Sequence, residues 1–182
     1  MRIIAGQWRG RPLRAPKGAT IRPTSDRARE ALFDILEHGE PSLRGARFLD
    51  LFCGTAAIGI EAGSRGAAEV LLVDSDPEAL RLAKANIARL GAPANLRLHA
   101  GDATRLGAAP QAFDLVFLDP PYRSGLALPA LECLRGGWLA PQARVIVELA
   151  ASEAFDPPHG FVLERERRYG AARFWFLRPQ SL

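Results

Sequence analysis

The segment Leu118-Asp119-Pro120-Pro121-Tyr122 follows an apolar run from Phe113 and carries the most specific chemistry in this chain of 182 residues. Two consecutive prolines fix φ and remove two amide donors, leaving a stiff loop whose carbonyls and carboxylate point one way. Such a loop is a ready acceptor for an amino group. An exocyclic amine on a nucleic-acid base is a poor nucleophile, because its lone pair is delocalised into the ring. Acceptors at Asp119 and the Pro120 carbonyl would draw its hydrogens into position and favour the pyramidal geometry needed for in-line attack. Tyr122 is then expected to stack on the base and Asp119 to take the released proton. The plainer reading is a turn after a strand, which Pro-Pro often makes.

Three further segments place an acid after an apolar run. Asp50-Leu51-Phe52-Cys53-Gly54-Thr55-Ala56-Ala57-Ile58-Gly59 turns from a strand through glycine into a helix. A P-loop would need Lys and Ser/Thr after its second glycine, where Ile60-Glu61 stand. A dinucleotide fingerprint would need glycine at Ala56, so that backbone can approach a pyrophosphate. S-adenosylmethionine has no pyrophosphate, so a methyl group there is less damaging, and Asp50 can face its amino-acid end. Asp74, in Val73-Asp74-Ser75-Asp76, falls 24 residues after Asp50, near the spacing of an acid that binds an adenosine ribose. Asp76 is more simply a helix N-cap ahead of Pro77. Asp102, in Gly101-Asp102-Ala103, can accept from an adenine amino group or cap a turn.

The elements that position these residues alternate regularly from residue 46. Runs of strand length, Phe48 to Phe52, Val70 to Val73, Leu96 to Leu98, Phe113 to Leu118 and Val145 to Leu149, are interleaved with segments of helical period. Leu80, Ala83, Ile87 and Leu90 form one helix face that Gly91 ends. This alternation implies βαβ units and a largely parallel sheet, whose ligands bind at the strands' carboxyl ends. The tail differs: Phe161-Val162-Leu163 and Phe174-Trp175-Phe176-Leu177 read as a closing hairpin. Upstream, Ile3-Ile4 and Leu13 flank Gly6-Gln7-Trp8-Arg9-Gly10-Arg11, a small hairpin or extended arm. A helix follows, starting at Pro23-Thr24, burying Ala28, Ala31, Leu32, Ile35 and Leu36, and stopping at Gly39.

Length bounds the chain to one domain with a small appendage. Residues 1–40 are expected to be an N-terminal basic arm and helix, and 41–182 the catalytic domain. No stretch approaches the roughly 20 apolar residues of a membrane span, and the first residues lack the apolar run of a secretory signal. With Cys53 and Cys133 as the only cysteines, the expectation is a soluble cytoplasmic protein. The net charge of +4 is uneven: residues 1–30 carry Arg2, Arg9, Arg11, Arg14, Lys17, Arg22, Arg27 and Arg29 against Asp26 and Glu30. A basic arm on a near-neutral body suits phosphate-backbone binding, with Trp8 placed to stack; a solvated basic face is the alternative. The ratio of 22 Arg to 2 Lys fits a heat-adapted source or a GC-rich genome.

Taken together these residues resemble the class I S-adenosylmethionine methyltransferases, whose amino-methylating branch carries an Asp/Asn-Pro-Pro-aromatic loop after the glycine motif. More closely the chain is similar to the bacterial 16S rRNA (guanine-N2) methyltransferase family of the small ribosomal subunit. The matching segments are Arg2-Ile3-Ile4 with Gly6-Gln7-Trp8-Arg9-Gly10, Arg22-Pro23-Thr24 with Asp26-Arg27 and Arg29-Glu30-Ala31-Leu32-Phe33, and Gly59-Ile60-Glu61-Ala62 with Ser64-Arg65-Gly66. The resemblance implies a Rossmann-like α/β fold: a mostly parallel seven-stranded sheet with helices on both faces and a small N-terminal β-hairpin and helix extension. It implies cofactor contacts from Asp50, Gly54, Asp74 and Asp102 with their neighbours Phe52, Thr55, Ser75 and Ala103, and catalysis at Asp119, Pro120, Pro121 and Tyr122. It also implies 16S rRNA as partner, contacted by Arg2, Trp8, Arg9, Arg11 and Arg22. The family usually has glycine where Ala56 stands, which bears on cofactor affinity or loop conformation.

Other readings are less well served. A sequence-specific DNA amino methyltransferase would share the Asp-Pro-Pro-Tyr loop but needs a target-recognition region, for which no segment is long enough. A protein-glutamine methyltransferase would have Asn before the prolines and no use for a basic arm. A non-catalytic RNA-binding factor would not need acids at all four strand ends. His38, His99 and His159 form no ligand spacing with either cysteine, so no metal site is expected, and Cys53 suits packing. Arg165, Arg167 and Arg168, alternating with Glu164 and Glu166, read as a solvated strand face.

Overall fold

The computed structural model describes residues 1–15 and 26–180. Its elements run α1 (Asp26–Glu37), β1 (Arg47–Leu51), α2 (Ala57–Ser64), β2 (Glu69–Asp74), α3 (Pro77–Arg89), β3 (Leu96–Ala100), β4 (Phe113–Leu118), α4 (Ala127–Leu134), β5 (Leu139–Ala150), β6 (Phe161–Tyr169) and β7 (Ala172–Pro179). The expected helix start at Pro23-Thr24, and Lys17 and Arg22, lie outside the described residues.

The strands form one seven-stranded sheet in the order β3-β2-β1-β4-β5-β7-β6. Pairing is parallel from β3 through β5 and antiparallel at β5–β7 and β7–β6, so the sheet is mixed. The parallel expectation holds over the strands that carry the four motifs. At the closing edge it gives way, because a hairpin returns the chain from β6 directly into β7. β5 is longer than the run Val145 to Leu149, starting at Leu139 and passing through Pro141. The proline falls where the β4–β5 register shifts, so its missing amide breaks no regular ladder.

Strand side chains alternate between the two faces, and each face has its own core. Phe48, Leu72, Leu115, Phe117 and Ile146 pack with Leu32, Phe33 and Leu36 of α1, Ile60 and Ala62 of α2, and Ala83 and Ile87 of α3. Leu49, Val73, Val116, Leu118 and Val147 pack with Ala127, Ala130, Leu131 and Leu134 of α4. On α3 the buried row is Leu82, Ala83, Asn86 and Ile87, with Leu80 only half-buried. Among the described residues no helix is long and apolar enough to cross a membrane.

The N-terminal arm folds back on itself with a single bridge, Arg2 to Pro12, and backbone bonds from Ile3 N–H to the Arg11 carbonyl (3.0 Å) and from Gly10 N–H to the Ile3 carbonyl (2.9 Å). It is stapled to α2 rather than free. The Glu61 carboxylate, 1% exposed, accepts from Ile4 N–H (2.8 Å), Ala5 N–H (2.9 Å) and Arg65 Nε (2.8 Å). Ser64 adds its carbonyl to Gln7 N–H (2.8 Å) and its Oγ to Trp8 N–H (3.0 Å). Gly6 has φ +80°, and a Cβ there would lie 1.9 Å from the Ser64 carbonyl oxygen, so no other residue permits this approach.

Arg65 carries the network on, with its guanidinium 3.3 Å from Glu37 and stacked over Phe33 of α1. Replacing Glu61 by Ala strands two amides and takes from the buried Arg65 guanidinium the nearer of its two carboxylates. We expect a loss of about 3 kcal/mol and a fall in Tm of roughly 10 °C, with faster tryptic cleavage after the exposed Arg9 and Arg14. A Tm within about 2 °C of the parent would show that the arm is not held by this carboxylate.

Candidate active site

The sheet order makes the β1/β4 boundary the topological switch point, where crossovers leave in opposite directions and open a crevice at the strands' carboxyl ends. β1 reaches it first. After Leu51 the chain takes left-handed conformations at Phe52 (φ 59°), Gly54 (φ 54°) and Ala56 (φ 63°), and so reverses into α2. Two carboxylates hold this loop: Asp74 Oδ2 accepts from Gly54 N–H (2.8 Å), and Asp50 Oδ2 accepts from Gly59 N–H (2.9 Å). A Cβ at Gly59 would meet Leu72 Cδ2 at 2.2 Å, so glycine lets α2 lie against the sheet.

Asp50 is 1% exposed. Burial pushes its carboxyl up to about 8, the Gly59 amide opposes this, and Asp74 adds to it. Asp74 stands half-buried at the end of β2 with its other oxygen on Asp76 N–H (2.9 Å), and Ser75 beside it is exposed. Asp76 is the N-cap of α3, accepting from Ala79 N–H (2.8 Å) ahead of Pro77. Asp102 is exposed and caps its own turn, its Oδ1 accepting from Thr104 N–H (2.8 Å) and Oγ1 (2.7 Å); those donors hold its carboxyl below the usual range. Ala103 is buried in the α4-side core, Thr55 is half-buried, and Cys53 is buried, which pushes its thiol up.

β4 delivers Asp119 beside this loop, with its amide on the Leu51 carbonyl (3.3 Å). Phe48 and Asp50, Phe117 and Asp119, and Ile146 and Glu148 continue three neighbouring rows on one face of the sheet. Burial first, then Glu148 and Asp50, push the Asp119 carboxyl well above the carboxylate range. Pro120 is buried and Pro121 exposed, and Tyr122 is 43% exposed with its hydroxyl donating to Glu148 Oε1 (3.3 Å). Burial, then the Glu148 charge, raise its phenol.

Two residues of this site escape a reading of local pattern. Glu148 is a lone acid inside the apolar run Val145 to Leu149, and its interruption of that run is the signal available. Asn86 is fully buried on α3: its Oδ1 accepts from Arg14 N–H (2.7 Å), and its Nδ2 donates to the carbonyls of Arg14 (3.1 Å) and Thr55 (2.9 Å). One amide thus ties the end of the arm to the glycine loop.

The arm departs from expectation in two places. Trp8 is 7% exposed and packs in the core, so its ring offers no face to a base. Arg29 is 1% exposed, with Nη2 donating to the Arg2 carbonyl (2.5 Å) and to Asp26 (3.1 Å); it joins α1 to the arm and is lost to the basic surface. Arg2, Arg9, Arg11 and Arg14 are exposed. Arg2, Arg9 and Arg27 line a cleft of about 390 Å³ together with Asp26 and Glu30. Arg22 lies outside the described residues.

A family model described as Conserved hypothetical protein 95 matches residues 1–178. Ribosomal RNA small subunit methyltransferase D of Escherichia coli (strain K12) is 36% identical over 176 residues, covering 96% of this chain and 87% of that protein. The protein of the same description from Haemophilus influenzae is 32% identical over 179 residues, covering 96% and 91%. Among solved structures, a candidate methyltransferase from Escherichia coli superposes with a TM-score of 0.86 at 36% identity, covering 100% of this chain and 99% of that one.

The raised Asp50 carboxyl has a consequence for stability. The folded protein keeps a proton that the unfolded chain releases above about pH 4. Stability from this group is fully present below that pH and is lost as pH rises toward about 8. The Tm is expected to fall between about pH 5 and 8, and Asp50→Asn to flatten the fall, Asp119 leaving a residual slope. An Asp50→Asn protein whose Tm falls as steeply as the parent's would place Asp50 among ordinary carboxylates.

Proposed function

Because the chain belongs to the family described as Conserved hypothetical protein 95 and is related along nearly its whole length to ribosomal RNA small subunit methyltransferase D of Escherichia coli, we propose that it is a ribosomal RNA methyltransferase. In this reading it transfers a methyl group from S-adenosylmethionine to the exocyclic N2 amino group of a guanine in 16S rRNA, in the cytoplasm. The observation that carries it is the Asp119-Pro120-Pro121-Tyr122 loop at the switch point, directly beside the glycine loop that Asp50 and Asp74 hold.

The residues fit the cofactor. Each Asp74 oxygen takes one amide, which leaves acceptor capacity for ribose hydroxyls. Asp50 supplies a buried carboxyl that the ammonium of the amino-acid end would draw into its charged form, and the first turn of α2 would supply a positive helix end for the cofactor's carboxylate. Phe52, Gly54, Thr55, Ser75, Asp102 and Ala103 would border the rest, and the second Asp102 oxygen, 3.9 Å from Arg105 Nε, would accept from the adenine amino group. When bound, S-adenosylmethionine supplies an electrophilic methyl on a sulfonium.

Asp119 and the Pro120 carbonyl accept the hydrogens of the guanine amino group and aim its lone pair. Its raised carboxyl makes Asp119 a stronger proton acceptor than an ordinary aspartate, suited to the proton that leaves nitrogen as the bond to carbon forms. Tyr122 presents its exposed ring to the base. Residues 1–40 serve as the RNA-binding extension, through Arg2, Arg9, Arg11 and Arg22, with Trp8 holding the arm in place.

The direct test transfers radiolabelled methyl from S-adenosylmethionine to small ribosomal subunits and to protein-free 16S rRNA from cells lacking this protein, followed by nucleoside analysis. Label in N2-methylguanosine is expected. Asp119→Ala should lower the rate by roughly 10³-fold with cofactor affinity unchanged. Cofactor binding without label in either RNA would point to a different amino-group substrate, and equal loss of transfer and binding in the variant would make Asp119 a structural residue.

Replacing Arg9 and Arg11 together by Gln should weaken RNA binding and lower the slope of log K against log salt by roughly 1.5. An unchanged slope would remove the arm from the interface.

A further inference from the structure

The exposed tyrosine of the loop needs an anchor. The backbone is pinned on both sides of it: Pro120 and Pro121 stiffen the approach, Ser124 N–H bonds to the Pro121 carbonyl (3.1 Å), and Arg123, in a left-handed conformation (φ 59°), gives its N–H to Glu153 (3.1 Å). These contacts fix where the Tyr122 Cα sits. They leave the two side-chain torsions that set the plane of the ring, and a ring 43% exposed has little packing to fix them.

Glu148 reaches the free end of that ring. It is 2% exposed, one residue beyond the β4–β5 pair Leu118 and Val147, and it accepts the Tyr122 hydroxyl at 3.3 Å. Burying a carboxylate in the middle of a sheet costs several kcal/mol unless its contacts compensate. An apolar residue would fill the row begun by Ile146 at no such cost, so the acid is there for what it touches. We propose that Glu148 is the positioning residue for Tyr122, setting the plane of the ring through its hydroxyl and so fixing the face on which the substrate base stacks. This rests on the methyltransferase reading for its substrate, but the link between the two side chains stands by itself and can be measured separately.

The chain carries two tyrosines, Tyr122 and Tyr169, so 3-fluorotyrosine labelling gives two fluorine resonances, assigned by Tyr122→Phe. Asp119 and Glu153 are the other acids acting on the Tyr122 phenol. Glu148→Gln should move the titration of the Tyr122 resonance to lower pH and leave Tyr169 in place; an unmoved Tyr122 titration overturns the proposal. In the methyl-transfer assay Glu148→Leu and Tyr122→Phe should each raise KM for RNA roughly tenfold. The double variant should be no worse than either alone, and Glu148→Gln, which keeps an acceptor for the hydroxyl, should stay within about threefold of the parent. Additive losses would mean that Glu148 acts elsewhere and would equally overturn it. A parent protein that transfers no methyl while its fluorine titration responds to Glu148→Gln would sink the methyltransferase reading and leave the Glu148–Tyr122 link intact.

Discussion

Parallel strands cannot be joined by a tight turn, so each of β2, β3, β4 and β5 must be reached through a crossover. Every crossover starts from the same edge of the sheet, and the carboxyl ends collect there. Because β1 pairs with β2 on one side and β4 on the other, the glycine loop after β1 lies between Asp74 and Asp119. Placing the two loops side by side therefore needs no special contact between them. It follows from strand order, and the particular residues decide only what that edge can bind.

What those residues have in common is a carboxyl group in a place that water reaches poorly. The means of holding it differ with depth. Asp74, half-buried, spends both oxygens on backbone amides and so shapes the loop around a ligand. Asp50, fully buried, has the Gly59 amide and a carboxyl raised to about 8, which a cationic ligand group would lower again. Glu61 lies outside the crevice and is satisfied by two amides and a guanidinium. A fully satisfied carboxylate is a structural pin, whereas one left raised by its neighbours is poised for a ligand or a proton.

The parts legible in sequence are those fixed by local chemistry. The strand Phe113 to Leu118, the Asp76-Pro77 helix start and the sharp turn after Leu51 all follow from residues a few positions apart. The parts that were not legible depend on partners far along the chain. Trp8 sits among arginines and so looks like a stacking residue, but Gly63 leaves room for it, since a Cβ there would lie 3.3 Å from its ring. Arg29 counts as surface charge until the Arg2 carbonyl is found against it. Asn86 breaks an otherwise apolar helix row, and only the folded chain shows that it joins residues 14 and 55.

Ala56 shows how closely such terms can balance. Its left-handed conformation (φ 63°) costs an L-residue roughly 1–2 kcal/mol. Its methyl is fully buried, which returns about 0.8 kcal/mol, and avoiding the backbone entropy of glycine returns about 0.5–1 kcal/mol more. The sum is near zero, so stability alone does not demand glycine at this turn. A pyrophosphate pressed against the backbone would demand it, since the methyl would stand in the way. A ligand whose reactive end is a sulfonium amino acid makes no such demand, and a glycine motif that tolerates alanine is what such a ligand allows.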